Sequence, residues 1–135
     1  TLADEKFDIV VFASAIQYFS DLKITLTYVL HNMITPGGEI HILDTPFYKL
    51  TSLPDARKRT ITYYTKLGFP EMINYYNHHS MEELHSFHYK ILYNPRSLRY
   101  CLIKNRNPFY WTRIKKNKLK LILDIMYVAI LKEIF

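Results

Sequence analysis

The sequence predicts an α/β fold, because its first 50 residues contain a strand, a helix and a second strand. The segment Asp8–Ser14 (DIVVFAS) is an apolar run with a β-branched centre, which is typical of a strand buried on both faces of a parallel sheet. The segment Glu39–Asp44 (EIHILD) is the second predicted strand. Because strands joined by a helix pair in parallel, we expect a right-handed crossover between the two.

The predicted helix between these strands is capped by Ser20 or Asp21. Its apolar residues recur at helical spacing and form a single stripe, which consists of Leu22, Leu26, Val29, Leu30, Met33 and Ile34. The sequence Pro36-Gly37-Gly38 is expected to end the helix and turn the chain, because proline cannot continue a helix and glycine accepts a positive φ.

The second half of the chain carries two further helix-start signals. A capping-box-like start at Ser52 predicts a helix to about Leu67, with Gly68 as its C-terminal cap. The pair Ser80 and Glu83 repeats the signal and predicts a short helix.

The remaining elements are predicted less directly. The segment Tyr89–Tyr93 suits either a continued helix or a strand, and the strand is preferred. A short helix near Pro95–Lys104 and a strand over Phe109–Lys115 should follow. The apolar tail carries charges within it, so a packed terminal helix over residues 116–135 is expected rather than a membrane span, with an interfacial helix as the alternative.

Composition narrows the functional classes. The chain has 135 residues, a formal net charge of +6 and one cysteine, Cys101, which excludes a disulfide framework and a cysteine-rich zinc site. No basic-then-apolar leader is visible at the N-terminus, so a cytoplasmic protein is expected. With three glycines in all, the sequence offers no glycine-rich phosphate loop.

A basic strip, Arg96–Lys120, contains nine Lys or Arg residues and no acid. A solvated face is the preferred interpretation. Two alternatives stay open: a nucleic-acid-binding module that uses the interleaved aromatic residues, and a peripheral membrane protein that uses the strip together with the terminal helix.

Metal binding is not predicted, although the chain has six histidines. His85 and His88 could share a helix face, but no paired carboxylate accompanies them at ligand spacing. The HExxH pattern is absent from the sequence.

Three short segments carry a resemblance when they are taken in order. They comprise Leu2, Ala3, Asp4, Phe7 and Asp8 before the first strand, Ile16, Gln17 and Tyr18 after it, and Pro36, Gly37 and Gly38 before the second strand. In this arrangement the chain resembles the C-terminal half of class I S-adenosylmethionine-dependent methyltransferases. The resemblance implies a Rossmann-like domain over residues 1–115, a mixed sheet with an antiparallel last strand, and the strand order 4-5-7-6 that remains when the first three strands of 3-2-1-4-5-7-6 are removed.

The same resemblance implies roles for individual residues. Phe12, Ala13 and Ser14 would line the methionine part of the cofactor S-adenosylmethionine, and Gln17 and Tyr18 would face a small-molecule acceptor. Tyr18 is also a catalytic candidate.

Asp44 is a second catalytic candidate, because it ends the second predicted strand at the same edge of the sheet. A carboxylate there could act as a base or orient the acceptor, and Asp44-Thr45-Pro46 also suits a plain turn. Two tyrosine pairs, Tyr63-Tyr64 and Tyr75-Tyr76, either stack on an aromatic acceptor or seal the core.

The family's glycine-rich cofactor loop and its ribose-binding carboxylate belong to strands that the resemblance places before Thr1. The expected protein is therefore a fragment that lacks most of the cofactor site. The first strand would lose its neighbour at one edge, so we expect self-association through this exposed edge.

Overall fold

The computed structural model describes residues 5–116, which form a four-stranded sheet, a two-stranded sheet and three α-helices. The strands are β1 (Phe7–Ala13), β2 (Ile34–Thr45), β3 (Phe47–Tyr48), β4 (His79–Ser80), β5 (Tyr89–Tyr93) and β6 (Tyr110–Lys115). The helices are α1 (Leu22–Asn32), α2 (Leu53–Leu67) and α3 (Leu98–Cys101). Short 3-10 helices cover Ile16–Tyr18, Leu50–Ser52, Pro70–Asn74 and Met81–Ser86.

The main sheet is mixed, as expected, and has the strand order β1-β2-β6-β5. Strand β2 pairs in parallel with β1 and antiparallel with β6, and β5 pairs antiparallel with β6. The small second sheet pairs β3 with β4 in parallel. The predicted α/β class and the antiparallel last strand are therefore confirmed.

Helix α1 supplies the crossover between β1 and β2. Its N-terminal cap is Asp21, whose carboxylate accepts a hydrogen bond from the backbone N–H of Ile24 at 2.8 Å. The helix buries Leu22, Leu26 and Val29 in the core. Its partners there include Phe12, Ile16, Ile34, Ile40, Ile42, Leu84 and Ile114.

Two predictions about the end of α1 are wrong. The helix stops at Asn32, and the buried Ile34 belongs to β2, so the apolar stripe continues into a strand rather than along the helix. The segment Pro36-Gly37-Gly38 lies within β2, where the pairing with β1 is irregular. Phe7 pairs with Ile34, and Ile9, two residues later, pairs with Glu39, five residues further along β2.

Gly38 is required by a close approach of the two strands. A Cβ atom at this position would lie 2.7 Å from the backbone oxygen of Asp8 and 2.8 Å from Cγ2 of Ile34. Gly37 has a φ of 90°, a backbone angle that residues other than glycine rarely adopt. The two glycines therefore let β2 resume its pairing with β1 after the irregularity.

The prediction that β1 is buried on both faces is also wrong for the part of the chain that the structure describes. Phe12 is buried and Val10 packs against the core, whereas Ile9 and Val11 are 57% and 52% exposed. Strand β1 has β2 as its single neighbour in the described sheet and lies at its edge. An apolar run alone does not distinguish one covered face from two.

The later elements follow the sequence signals with one exception. Gly68 caps α2 with a left-handed φ of 83°. Ser52 precedes α2 but its side chain does not cap the helix, because the hydroxyl donates instead to the backbone oxygen of Lys49. Strand β5, the short helix α3 and strand β6 lie within the predicted segments. Leu2, Ala3 and Asp4 and, apart from Lys116, the predicted terminal helix lie outside the described residues.

Candidate functional site

Two residues with unusual backbone geometry mark the carboxyl ends of the parallel strands. Ser14, directly after β1, has a φ of 49°, and Asp44, near the end of β2, has a φ of 52°. The Ser14 N–H donates to the Leu43 oxygen at 3.0 Å, and the Ser14 hydroxyl donates to the Asp44 backbone oxygen at 3.3 Å. Non-glycine residues at positive φ are uncommon and concentrate at functional sites, where their strain is held by the surrounding structure.

The strand-end site, as we call Ser14, Gln17, Tyr18 and Asp44, unites four of the residues singled out in the sequence. Each of them follows or ends a strand at one edge of the sheet, which is the edge where open α/β sheets bind ligands.

Gln17 holds this site together from the inside. It is 6% exposed, and its side-chain N–H donates to the Ser14 oxygen at 2.7 Å. Its side-chain oxygen accepts from the Thr45 hydroxyl at 3.1 Å, and its backbone oxygen accepts from the Asn77 N–H at 2.7 Å. These bonds connect the ends of both strands to the segment before β4, so the Gln17 side chain is engaged within the protein.

The three predicted cofactor-lining residues lie at different depths. Phe12 is 8% exposed and its ring packs edge-on against Phe19 at a centroid distance of 5.7 Å. Ala13 and Ser14 are exposed at the strand end. The accessible part of this segment is therefore the backbone and small side chains of the last two residues.

Tyr18 begins a cluster of aromatic side chains on one side of the strand-end site. It is 50% exposed and its ring lies 6.1 Å from that of Tyr76, which in turn lies 6.1 Å from Tyr64 and 5.2 Å from His78. The Tyr48 ring lies 5.5 Å from the His78 ring and completes this aromatic cluster, which consists of Tyr18, Tyr48, Tyr64, Tyr76 and His78. Of the predicted pairs, Tyr64 and Tyr76 thus join Tyr18.

Burial shifts the proton affinities within this cluster. It raises the pKa of Tyr76 to about 12, with the neighbouring tyrosines adding to the effect. Burial also lowers the pKa of His78, assisted by the positive charges of Arg57 and Arg59 and by His79. The His78 ring nitrogen Nε2 lies 2.8 Å from the Thr60 hydroxyl, so a neutral imidazole is held in place by a hydrogen bond.

His78 also lines an open cleft of about 770 Å³ beside the cluster. Arg57, Asn77 and Glu83 contribute polar groups to the same cleft. The buried His79 closes its inner wall, with Nε2 3.2 Å from the Ile16 oxygen.

Asp44 contacts a different segment of the chain from Tyr18. Its carboxylate oxygen Oδ1 accepts a hydrogen bond from the side-chain amide of Asn107, in the connection that precedes β6. Neither Asn107 nor Asn77 was singled out in the sequence. No spacing could reveal them, because they lie 63 and 60 residues from Asp44 and Gln17.

The charge of the basic strip is partly neutralised where β6 pairs with β2. Glu39 lies 3.0 Å from Lys115 Nζ, 3.6 Å from Arg113 Nη1 and 3.1 Å from His41 Nε2. The hydrogen bond from Lys115 is the main cause that lowers the pKa of Glu39, and desolvation opposes it. Two bases of the strip, Arg113 and Lys115, therefore form ion pairs with Glu39. The last two bases, Lys118 and Lys120, lie outside the described residues.

Two further findings concern the part of the chain from 5 to 116. No group of three or more His, Cys, Asp or Glu side chains lies close enough together to hold a metal ion. None of the helices there has the length and apolar character needed to cross a membrane.

Comparison with models of known protein families and with curated protein sequences finds no match to this chain. Support for a function therefore comes from the strand order and from the contacts of the strand-end site.

Proposed function

We propose that this chain is the C-terminal part of a class I S-adenosylmethionine-dependent methyltransferase that acts on a small-molecule acceptor. The observation that supports the proposal is the strand order β1-β2-β6-β5. The order matches the 4-5-7-6 arrangement that the sequence resemblance implies, including an antiparallel strand inserted between β2 and β5. If β5 and β6 had joined the sheet in the order in which they occur in the chain, β5 would lie beside β2; instead β6 does.

The strand-end site supplies a second line of support. Methyl transfer from a sulfonium is an in-line displacement, so the protein has mainly to hold two partners in line. Bound S-adenosylmethionine supplies an electrophilic methyl group. The exposed Ala13 and Ser14 suit contact with the methionine part of such a ligand, because they end β1 at the ligand-binding edge of the sheet.

The other residues of the site take complementary roles in this proposal. Gln17 positions the strand end through its buried hydrogen bonds, and the half-exposed Tyr18 faces the acceptor. Asp44 accepts or orients a proton of the acceptor, since its carboxylate is exposed and only Oδ1 is engaged by a described residue.

The test is a calorimetric titration with S-adenosylmethionine of two proteins: the 135-residue chain, and the chain extended upstream by about one hundred residues to the size of a complete domain. We expect the shorter chain not to bind usefully. A carboxylate on the ribose makes two charge-assisted hydrogen bonds of ~1.5–3 kcal/mol each, so its loss costs about 3–6 kcal/mol and moves micromolar binding toward millimolar.

The extended chain should bind in the micromolar range. Absence of binding by the extended chain would refute the methyltransferase assignment. Low-micromolar binding by the shorter chain would show that the cofactor site lies elsewhere and would overturn the arrangement proposed for Ala13 and Ser14.

A further inference from the structure

A second cavity opens on the Asp44 side of the strand-end site. It has a volume of about 390 Å³, within the range of small-molecule pockets. We call it the aromatic cavity, because five of the residues that line it are aromatic. Its lining includes Asp44, Tyr93, Tyr100, Asn107, Phe109 and Trp111.

Three of the rings of this cavity are held by contacts with neighbouring residues. The Tyr93 and Tyr100 rings lie 4.6 Å apart at 54°, and the Tyr93 hydroxyl donates to the Asn107 backbone oxygen at 2.9 Å. The Trp111 indole N–H donates to Nδ1 of His41 at 2.8 Å, and His41 does not line the cavity. The Tyr93 hydroxyl and the Trp111 N–H are thus occupied, which leaves the ring surface of these two side chains for a ligand.

A single carboxylate stands at the edge of this apolar surface. Asn107 fixes Oδ1 of Asp44, and its own side-chain oxygen accepts from the Phe109 N–H at 2.9 Å, so the amide is oriented by both contacts. Within residues 5–116, Oδ2 of Asp44 has no hydrogen-bond donor. Asp44 lines the cavity near the end of β2, and its φ of 52° is an uncommon conformation for a residue with a side chain.

These features together select a ligand chemistry. Aromatic walls suit a planar ring, since stacked and edge-on ring contacts add to the burial of apolar area. The free carboxylate oxygen can accept a hydrogen bond from a ligand. The cavity lining carries one negative charge, on Asp44, and one positive charge, on Arg106, so a neutral hydroxyl suits this lining as the donor.

We propose that the aromatic cavity binds a planar aromatic ring bearing a hydroxyl group, with that hydroxyl donating to Oδ2 of Asp44. This inference rests on the proposed function for its chemistry: the bound hydroxyl is then the methyl acceptor. Its proton passes to Asp44 while its oxygen bonds to the methyl carbon, and the carbon–sulfur bond breaks with its electron pair remaining on sulfur. Ser14 touches Asp44 through the bond to the Asp44 backbone oxygen, so the cavity adjoins the segment assigned to the cofactor.

The binding step can be tested on the 135-residue chain without any cofactor. Ligand-observed fluorine NMR would measure the affinity of 4-fluorophenol, of 4-fluoroanisole, which lacks the donor, and of 4-fluorobenzylamine, which carries a cation. We expect 4-fluorophenol to bind with a dissociation constant of about 1 mM or tighter and the other two to bind at least about fivefold more weakly. The chain's single tryptophan, Trp111, lines the cavity, so quenching of its fluorescence provides a second readout.

Two variants locate the site. Tyr100→Ala removes part of the wall and should weaken 4-fluorophenol binding at least about fivefold. Asp44→Gly keeps the positive φ accessible but removes the acceptor, so it should abolish the preference for 4-fluorophenol over 4-fluoroanisole. Tyr75→Ala is the matched control, because Tyr75 is 63% exposed and lies outside the cavity, and it should leave all three affinities unchanged.

Equal binding of 4-fluorophenol and 4-fluoroanisole would overturn the hydroxyl recognition, and binding unaffected by Tyr100→Ala would overturn the location. Far-UV circular dichroism confirms that each variant is folded before its affinity is compared. The outcome is separate from that of the cofactor titration. Phenol binding that depends on Asp44 and Tyr100, with no S-adenosylmethionine binding by the extended chain, would leave the cavity assignment standing and refute the methyltransferase.

Discussion

Replacing Gln17 with methionine tests whether the strand-end site is held by the hydrogen bonds that the structure shows. Methionine has a similar length and volume and adapts to an irregular site, so the change removes polar contacts with little change in packing. Two bonds are lost: the one donated to the Ser14 oxygen and the one accepted from the Thr45 hydroxyl.

The expected loss of stability follows from these partners. A typical intramolecular hydrogen bond contributes about 0.5–1.5 kcal/mol, so two give about 1–3 kcal/mol. The buried Thr45 hydroxyl keeps a bond to the Leu43 oxygen at 3.2 Å, and the exposed position of Ser14 lets water reach its oxygen. Because neither partner is left wholly unsatisfied, we expect Gln17→Met to cost about 1–2 kcal/mol of unfolding free energy.

Urea unfolding followed by Trp111 fluorescence measures this loss, at one low protein concentration because self-association would shift the apparent stability. A double-mutant cycle with Thr45→Val should give a coupling of about 0.5–1 kcal/mol between the two side chains. Asn32→Ala is the control, since its exposed amide bonds to the Tyr28 oxygen near the end of α1 and should change stability by about 0.5 kcal/mol or less. A coupling below about 0.3 kcal/mol would mean that the two effects are additive and that the Gln17–Thr45 hydrogen bond does not contribute to stability.

Four further changes have defined outcomes. Gly38→Ala should cost about 1–3 kcal/mol in urea unfolding, because its Cβ would meet the Asp8 backbone oxygen and the Ile34 side chain; a loss below about 0.5 kcal/mol would contradict the close approach. The free energy of unfolding should fall as the pH drops below 6.5, the ordinary pKa of histidine. The reason is that His78 has a lowered pKa in the folded protein, so the unfolded chain binds the proton more readily. The variant His78→Gln should remove this part of the pH dependence of the urea midpoint. Light scattering across a concentration series should show self-association that Val11→Lys reduces, and a monodisperse monomer would count against the exposed edge. Single-stranded DNA should bind the chain weakly. Each phosphate contact adds about 0.7–0.9 to the slope of log K against log salt concentration. A submicromolar affinity at physiological salt would favour the nucleic-acid alternative for the basic strip.

The predictions that succeeded depend on short stretches of chain. The helix cap at Asp21, the left-handed Gly68 and the strands β5 and β6 each follow from a few neighbouring residues. Backbone conformation responds to such local signals because capping bonds, positive φ and side-chain periodicity act within one or two turns. The prediction at Pro36-Gly37-Gly38 also came from neighbouring residues, but it failed because β2 pairs with β1 on both sides of this segment, which therefore belongs to the strand.

Local residue patterns were sufficient to predict the α/β class, the parallel strand–helix–strand unit and the position of Asp44 at a strand end. Tertiary packing determines which face of β1 is covered and which distant residues complete the site. Asn77 reaches Gln17 across 60 residues, and Asn107 reaches Asp44 across 63. Such contacts depend on the path of the whole chain, because burial and hydrogen bonding between distant segments are settled when the sheet and its connections pack together, and no local pattern encodes that path.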